Sequence, residues 1–184
     1  RGGYNFPYTP GYYHGDAWVD IIYDSNATQT APSIDDIFPG GKDSNFQIKV
    51  PSKLLAHLCG RTRPGHFDGV ATVISRLLSL VQPNFLVLGE KDWQQLIILK
   101  QLIRDLGFPQ KVIGVPTIRD RDGLAFSSRN LYLSPSEREK ALTLPRVLTK
   151  ASLAFQKQQA IDLEKIHSLI TNKGIEVEYL ELLD

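Results

Sequence analysis

Four consecutive residues, Gly89-Glu90-Lys91-Asp92, place a glycine, an ammonium group and two carboxylates at the start of a predicted helix. The backbone N–H groups and the dipole at a helix N-terminus favour anions, so this junction is suited to a phosphate group. Lys91 would add a point charge for the phosphate, and Asp92 would accept hydrogen bonds from a ribose. Gln95 lies one turn beyond Lys91 on the same helix face. The alternative is ordinary helix capping by Asp92 beside a solvated lysine.

A second polar cluster is Ser127-Ser128-Arg129-Asn130, which follows residues 122–126. Two hydroxyl groups, loop N–H groups and a guanidinium within three residues can form a phosphate cradle. The alternative is a polar turn before the apolar run at residues 131–133. A third cluster, residues 61–67, sets two arginines and a histidine around a Pro-Gly turn. It would hold a carboxylate or form a subunit contact, but a structural turn is the better interpretation.

Composition and missing motifs argue against several classes of protein. The chain has 184 residues and a net charge of +1, which argues against an electrostatic nucleic-acid-binding protein. No apolar run reaches the roughly 18 residues that a membrane span requires. The single cysteine, Cys59, fits a reducing compartment, so we expect a cytoplasmic protein. The absence of Walker A, Gly-x-Gly-x-x-Gly and Cys/His metal-ligand spacings argues against P-loop NTPases, dehydrogenases and metal sites.

A strand–helix–strand unit of a parallel sheet must position the first cluster. Its elements are indicated by apolar residues at helical spacing, by short apolar runs and by Gly107 as a helix stop. Gly89 then lies at the carboxyl end of a parallel strand, where open α/β sheets bind ligands. The residues before it are all apolar, so we expect a strand buried on both faces. The sequence predicts helices over 69–81 and 92–106 and strands over 85–88 and 111–115.

The flanking regions predict fewer regular elements. Residues 1–30 are interpreted as loop, with one possible strand over 17–23. Ser134-Pro135-Ser136-Glu137 is a capping box, so a helix should begin there and run to about residue 155, with a kink or break at Pro145. A further helix over 161–172 and an alternating strand over 175–183 complete the expected elements.

Four separated motifs follow one another along the chain, and Tyr179-Leu180-Glu181 comes after them. The motifs are Arg63-Pro64-Gly65-His66-Phe67-x-Gly69-Val70, Gly89-Glu90-Lys91-Asp92-x-Gln94-Gln95, Gly114-Val115-Pro116-Thr117-Ile118-Arg119 and Asp122-Gly123-Leu124-Ala125-x-Ser127-Ser128-Arg129-Asn130-x-Tyr132-Leu133. Together they resemble, over residues 31–184, the pantoate–β-alanine ligase (pantothenate synthetase) family, and residues 57–61 and 90–95 are similar to its cyanobacterial members. The match is specific because separated motifs agree in order.

The resemblance implies an α/β fold with a partial Rossmann-like parallel sheet of the nucleotidyltransferase superfamily. It also implies a two-step reaction. Pantoate attacks the α-phosphate of ATP, bound with Mg²⁺, to give pantoyl adenylate and pyrophosphate, and β-alanine then displaces AMP to form pantothenate. A homodimer is expected, because family members are commonly dimers. The implied domains are an unassigned segment 1–30, a partial nucleotide-binding domain 31–117 and a small, incomplete C-terminal α/β domain 118–184.

The resemblance also implies roles for individual residues. Lys91 and Arg129 would act on the phosphates, Asp92 near the ribose, and Ile118 on the adenine through its backbone. Gln95 would bind pantoate, with Val73 and Ile74 lining an apolar pocket. The implied ATP-binding residues are Gly89, Glu90, Lys91, Asp92, Ile118, Phe126, Ser127, Ser128 and Arg129.

One departure from the family pattern concerns catalysis. The His-x-Gly-His signature, which stabilises the transition state at the α-phosphate in this family, does not occur in the chain, and His14-Gly15 does not replace it. The upstream pantoate-binding glutamine, the first strands of the sheet and the cytidylate kinase domain of some cyanobacterial members are not found either. We therefore expect this 184-residue chain to be impaired as an enzyme. The alternatives are a non-catalytic nucleotide-binding or dimer-forming fragment, and an adenylate-forming ligase with a different acid or amine.

Overall fold

The computed structural model divides the chain into two compact units, Arg1–Pro116 and Thr117–Asp184. The first unit combines parallel strands with helices, which confirms the predicted α/β class. None of the helices in the described part of the chain is long and apolar enough to cross a membrane. The structure describes residues 12–14, 17–19, 32–41 and 44–183.

The first unit is organised around a strand–helix–strand arrangement, as the sequence predicts. Two parallel strands pair in register, with Phe85 opposite Lys111 and Gly89 opposite Val115. A two-stranded antiparallel hairpin, outside this sheet, pairs Tyr12 with Val19. The elements in chain order are β1 (Tyr12–His14), β2 (Ala17–Val19), α1 (Ile34–Ile37), α2 (Ser52–Leu55), α3 (Leu58–Thr62), α4 (His66–Val81), β3 (Phe85–Gly89), a 3-10 turn (Glu90–Asp92), α5 (Trp93–Asp105) and β4 (Lys111–Val115).

The core of the first unit lies against one face of β3. Leu86 and Leu88 are each 4% exposed and join the buried cluster, whereas Phe85 is 53% exposed. The prediction of a strand buried on both faces is therefore wrong. Alternate residues of a strand point to opposite faces, and the core packs on only one of them. The remaining members of the cluster are Ile37, Phe38, Val50, Phe67, Val70, Ala71, Ile74, Leu77, Leu78, Leu96, Ile98, Leu99, Leu102 and Ile103.

Two glycines with positive φ set the bounds of the long helices. Gly65, with φ of 78°, precedes α4, which begins three residues before the predicted helix. Gly107, with φ of 66°, follows α5 and is the predicted stop. A left-handed backbone favours glycine because it has no Cβ. The Pro-Gly turn of the third polar cluster therefore has a structural reason of its own.

The second unit is mainly helical. The capping box is confirmed: Glu137 N–H donates to Ser134 Oγ (3.3 Å), and Ser134 N–H donates to Glu137 Oε2 (2.8 Å). The predicted break is confirmed too, because the first helix ends before Leu142 and Pro145 lies in the first turn of the next one, where a missing N–H costs little. The elements are a 3-10 turn (Ser128–Tyr132), α6 (Pro135–Ala141), α7 (Thr143–Gln156) and α8 (Leu163–Thr171).

One predicted strand is wrong, and another lies only partly within the described residues. Residues 175–183 form no strand, because within the described residues no other segment pairs with them. Their alternation is nevertheless real, since Ile175 and Val177 are half-buried and Glu176 is exposed. The possible strand over 17–23 begins as predicted with β2, and residues 20–23 lie outside the described residues.

Candidate active site

The carboxyl edge of the parallel pair carries the first polar cluster. β3 ends at Gly89, and the 3-10 turn places Glu90 against β4. A Cβ atom on Gly114 would lie 3.2 Å from Glu90 Oε1 and 3.1 Å from Leu96 Cδ2. The glycine in β4 therefore lets the turn and the first turn of α5 close onto the sheet. This packing fixes the backbone of the turn at the N-terminus of a 13-residue helix.

Lys91 and Asp92 present their charged groups to solvent at this N-terminus. Asp92 occupies the position before α5, but its side chain makes no capping hydrogen bond. The alternative of ordinary capping by Asp92 is therefore wrong. Lys91 Nζ lies 3.5 Å from Asp92 Oδ1, and the two side chains are 42% and 55% exposed. An exposed ion pair of this kind contributes little to stability, so both groups can exchange it for a ligand at small cost.

Gln95 lies one turn further along α5 and is buried. It is only 7% exposed, and no described residue forms a hydrogen bond with its side-chain amide. A side-chain amide that makes no hydrogen bond within the described residues can donate to or accept from a polar group of a ligand.

Gln94 ties the segment before α4 to the N-terminus of α5. Its Oε1 accepts from Gly60 N–H (3.1 Å), and its Nε2 donates to the carbonyls of Leu54 (3.0 Å) and His57 (2.8 Å). A Cβ on Gly60 would lie 2.6 Å from Leu55 Cα, so this close approach requires glycine. Sequence analysis gave Gln94 no role, because its partners are 34 to 40 residues away.

The arginine-rich third cluster lies where α3 ends and α4 begins. Arg63 follows the last residue of α3, and His66 is the first residue of α4. Arg63 Nη1 lies 3.4 Å from His66 Nε2. Gln94 bonds Gly60, just before this cluster, and so attaches the segment to the N-terminus of α5. The prediction that the cluster holds a carboxylate or forms a subunit contact stays a hypothesis.

The two predicted pantoate-lining residues of α4 have different surroundings. Val73 is partly buried and lines a cavity of about 270 Å³. Ile74 is 1% exposed and packs in the core. The other residues that line the cavity are Phe38, Gln47, Lys49, Gly65, Asp68, Gly69 and Thr72.

Asp68 anchors the wall of this cavity. Its Oδ2 accepts from Lys49 Nζ (2.8 Å), and its Oδ1 accepts from Val50 N–H (2.8 Å). Burial raises the pKa of Asp68, but the hydrogen bonds from Lys49 and Val50 outweigh it and hold the pKa below its ordinary 3.8. One turn along, Thr72 Oγ1 accepts from Ile48 N–H (2.8 Å), so α4 holds the incoming segment at two successive turns.

The second polar cluster lies on a short hairpin of the second unit. Phe126 N–H donates to the Ile118 carbonyl (2.9 Å), and the two side chains are 68% and 70% exposed. The amide N–H of Ile118 has no partner among the described residues. Ser127 Oγ accepts from Arg129 N–H (3.3 Å), and Asn130 Nδ2 donates to Ala125 O (2.9 Å). Residues 126–129 therefore form an ordered turn with exposed apolar and polar groups side by side.

The structure thus places the predicted residues in two groups. Gly89, Glu90, Lys91, Asp92 and Gln95 meet at one edge of the first unit, and Ile118 and residues 126–129 share one hairpin and turn of the second. A sequence model of the pantoate-beta-alanine ligase family matches residues 19–184. The chain belongs to this family. The match begins upstream of residue 31, where the resemblance was expected to begin.

Similar proteins support this assignment. A bifunctional pantoate ligase/cytidylate kinase from Prochlorococcus marinus (strain MIT 9313) is 56% identical over 154 residues, which are 84% of this chain and 30% of that protein. The crystal structure of pantothenate synthetase from Thermus thermophilus is 42% identical, with a TM-score of 0.67, and the match covers 77% of this chain and 50% of that one. Pantoate-beta-alanine ligase from Francisella tularensis, crystallised with beta-gamma ATP and beta-alanine, is 35% identical, with a TM-score of 0.69 over 82% of this chain and 54% of that one. The chain therefore spans about a third to a half of the length of these relatives.

Proposed function

We propose that the protein containing this chain is a pantoate–β-alanine ligase, which makes pantothenate through pantoyl adenylate. The observation that carries the proposal is the exposed Lys91–Asp92 pair at the N-terminus of α5, directly after a parallel strand, in a chain of this family. The ammonium group and the helix N-terminus supply positive potential where a triphosphate would lie. Because Asp92 does not cap the helix, its carboxylate is available for ribose hydroxyl groups.

In the first step, a carboxylate oxygen of pantoate bonds to the α-phosphorus of Mg-ATP, and the bond from that phosphorus to the bridging oxygen of pyrophosphate breaks. The pentavalent phosphorus carries extra negative charge, so preorganised cations and N–H donors lower its free energy. Lys91 and Arg129 would supply the cations, and Ser127 and Ser128 the hydroxyl and N–H donors, in a turn that begins at Phe126. The backbone N–H of Ile118 would donate to the adenine ring.

Gln95 and Val73 would hold pantoate. The side-chain amide of Gln95 has no hydrogen-bond partner among the described residues and would bond a polar group of pantoate. Val73 lines the cavity of about 270 Å³ and would contact the apolar part of the substrate. Ile74 would support Val73 from the core. In the second step, the amine of β-alanine attacks the acyl carbon, the bond from that carbon to the phosphate oxygen breaks, and AMP leaves.

The organisation of the protein is also part of the proposal. The nucleotide-binding domain would extend over 31–117 and the small C-terminal domain over 118–184, with the enzyme a cytoplasmic homodimer that uses ATP as its Mg²⁺ complex. The chain alone would be impaired, because the family's His-x-Gly-His signature does not occur in its sequence.

Pantoate-dependent exchange of pyrophosphate into ATP tests the adenylation step. We expect exchange by the full-length protein, none without pantoate, and strongly reduced exchange by the 184-residue chain. No exchange by a folded full-length protein would contradict the proposal and favour a non-catalytic nucleotide-binding protein. Exchange with other acids, but not with pantoate, would favour a different adenylate-forming ligase. Normal exchange by the isolated chain would contradict its impairment.

A further inference from the structure

One arginine of α6 bridges two carboxylates of the hairpin that precedes the Ser127–Arg129 turn. Arg138 Nε donates to Asp122 Oδ2 (2.7 Å), and Arg138 Nη2 donates to Asp120 Oδ2 (2.8 Å). All three side chains are about one-third exposed. The planar guanidinium presents its N–H groups as a fixed fork, which a lysine cannot reproduce.

Hydrogen bonds within the hairpin connect these two ion pairs to the Ser127–Arg129 turn. Asp120 N–H donates to Leu124 O (2.8 Å), and Gly123, with φ of 96°, closes the turn. Leu124 N–H donates to Asp122 Oδ1, 3.2 Å away. The chain then continues through Ala125, which Asn130 Nδ2 holds, into the Ser127–Arg129 turn. The two carboxylates that Arg138 fixes are therefore connected to the turn by successive hydrogen bonds.

Apolar packing contributes little to holding this hairpin in place. Between residues 117 and 133, only Leu124 is buried, at 8% exposed. Ile118 and Phe126, on its two arms, are mostly exposed. The hydrogen bond from Arg138 also lowers the pKa of Asp122, so both partners stay charged at neutral pH. The ion pairs of Arg138 with Asp120 and Asp122 join the hairpin to helix α6.

We propose that Arg138 is a positioning residue: by clamping Asp120 and Asp122, it holds the Ser127–Arg129 turn in the geometry that receives the phosphates of ATP. The proposal rests on the proposed function, in which that turn binds the phosphates. Arg138 itself touches no substrate in this role. Its loss should therefore weaken the binding of phosphate groups much more than that of the nucleoside, because Phe126 N–H still pairs with the Ile118 carbonyl on the two arms of the hairpin.

Calorimetric titration of the full-length protein with Mg-ATP and with adenosine tests this role. We expect Arg138→Gln to raise the Kd for Mg-ATP about tenfold and to leave the Kd for adenosine within about twofold. Arg138→Lys keeps the positive charge but not the planar fork of N–H donors. Its Kd for Mg-ATP should therefore lie between those of the wild type and of Arg138→Gln. Arg146→Gln is the matched control: it removes an arginine whose Nη1 pairs with Glu139 Oε1 (3.0 Å) on α6, away from the hairpin.

A double-mutant cycle separates positioning from a general structural role. If Arg138 acts through the turn, Arg138→Gln should add little to the effect of Arg129→Ala. Full additivity, unchanged Mg-ATP binding, or equal losses for Mg-ATP and adenosine would overturn the proposal. Should Arg138→Gln fail to fold, Asp122→Asn removes one of the two ion pairs and must show the same selective loss. Normal Mg-ATP binding by Arg129→Ala would instead contradict the proposed function.

Discussion

The two groups of predicted site residues are held by different forces. The Gly89–Asp92 turn lies between a strand and a helix whose inner faces are fully buried, with Leu96 and Leu99 at most 1% exposed. The Phe126–Arg129 turn lies on a hairpin that an arginine and two aspartates hold. Among residues 117–183, the buried apolar side chains are those of Leu124, Leu142 and Ile170.

This difference indicates how each group responds to its surroundings. Apolar packing involves no charge that salt could screen or acid could titrate, so the first turn should keep its geometry wherever the first unit is folded. Ion pairs that are one-third exposed are screened by salt and broken by acid. The second turn can therefore lose its geometry while the helices around it remain. The following changes test each side of the comparison.

The largest effect is expected in the core beneath the first turn. Leu99 is 0% exposed at the centre of α5, so Leu99→Ala should lower the free energy of unfolding by about 3–5 kcal/mol through lost burial and a cavity. Leu106→Ala, at a position 54% exposed just after the helix, should change it by less than about 1 kcal/mol. Urea denaturation followed by circular dichroism measures both. Equal effects would show that packing does not position the first turn.

The next effect compares the two predicted phosphate-binding cations. In the full-length enzyme, Lys91→Ala and Arg129→Ala should each slow pantoate-dependent ATP–pyrophosphate exchange about 10²- to 10³-fold, the loss expected for one contact to a developing charge. Lys100→Ala, an exposed position on α5, and Arg146→Ala are the matched controls. Near-normal exchange by both active-site variants would refute the site assignment. A loss of exchange in only one of the two variants would assign phosphate binding to the unit that carries the substituted residue.

The sequence predicted the elements whose signal is local. The apolar runs before Gly89 and Pro116 gave β3 and β4, helical spacing gave α4 and α5, and Ser134 with Glu137 gave the start of α6. In each case the signal lies within one turn or one strand. The position of the Gly89–Asp92 turn followed directly from these elements.

Long-range polar contacts could not be predicted. Gln94 looks like any other polar helix residue, yet it bonds Leu54 and Gly60 on a distant segment. Arg138 lies 16 and 18 residues from Asp122 and Asp120, with no periodic relation to them. The predicted strand over 175–183 was wrong because it, too, depends on a long-range contact. Alternation shows which residues of one segment are buried, whereas a strand needs hydrogen bonds to a second segment.

Substitution of Gln94 tests whether side-chain hydrogen bonds, besides apolar packing, stabilise the first unit. Gln94→Leu keeps the side-chain volume but leaves Gly60 N–H and the carbonyls of Leu54 and His57 without their partner, so we expect a loss of about 1–3 kcal/mol in unfolding free energy. Amide hydrogen exchange at Gly60 should accelerate locally. Gln101→Leu, whose Nε2 bonds Asp105 at the surface, is the control. Unchanged exchange at Gly60 would show that packing alone holds α3 on α5.

The smallest effect concerns the pH dependence of stability, which Asp68 tests in the first unit. Asp68 has a pKa held below its ordinary 3.8, so its stabilisation is fully present above 3.8 and is lost as pH falls through the lowered value. Asp68→Asn keeps an acceptor for Val50 N–H but loses the charge, and should cost about 1 kcal/mol at pH 7. In urea denaturation at a series of pH values, the difference from wild type should shrink below pH 4. Asp105→Asn, at a carboxylate 48% exposed, should change stability little at any pH. A difference that is constant down to pH 2 would show that the Asp68 charge contributes nothing to the stability of the cavity wall.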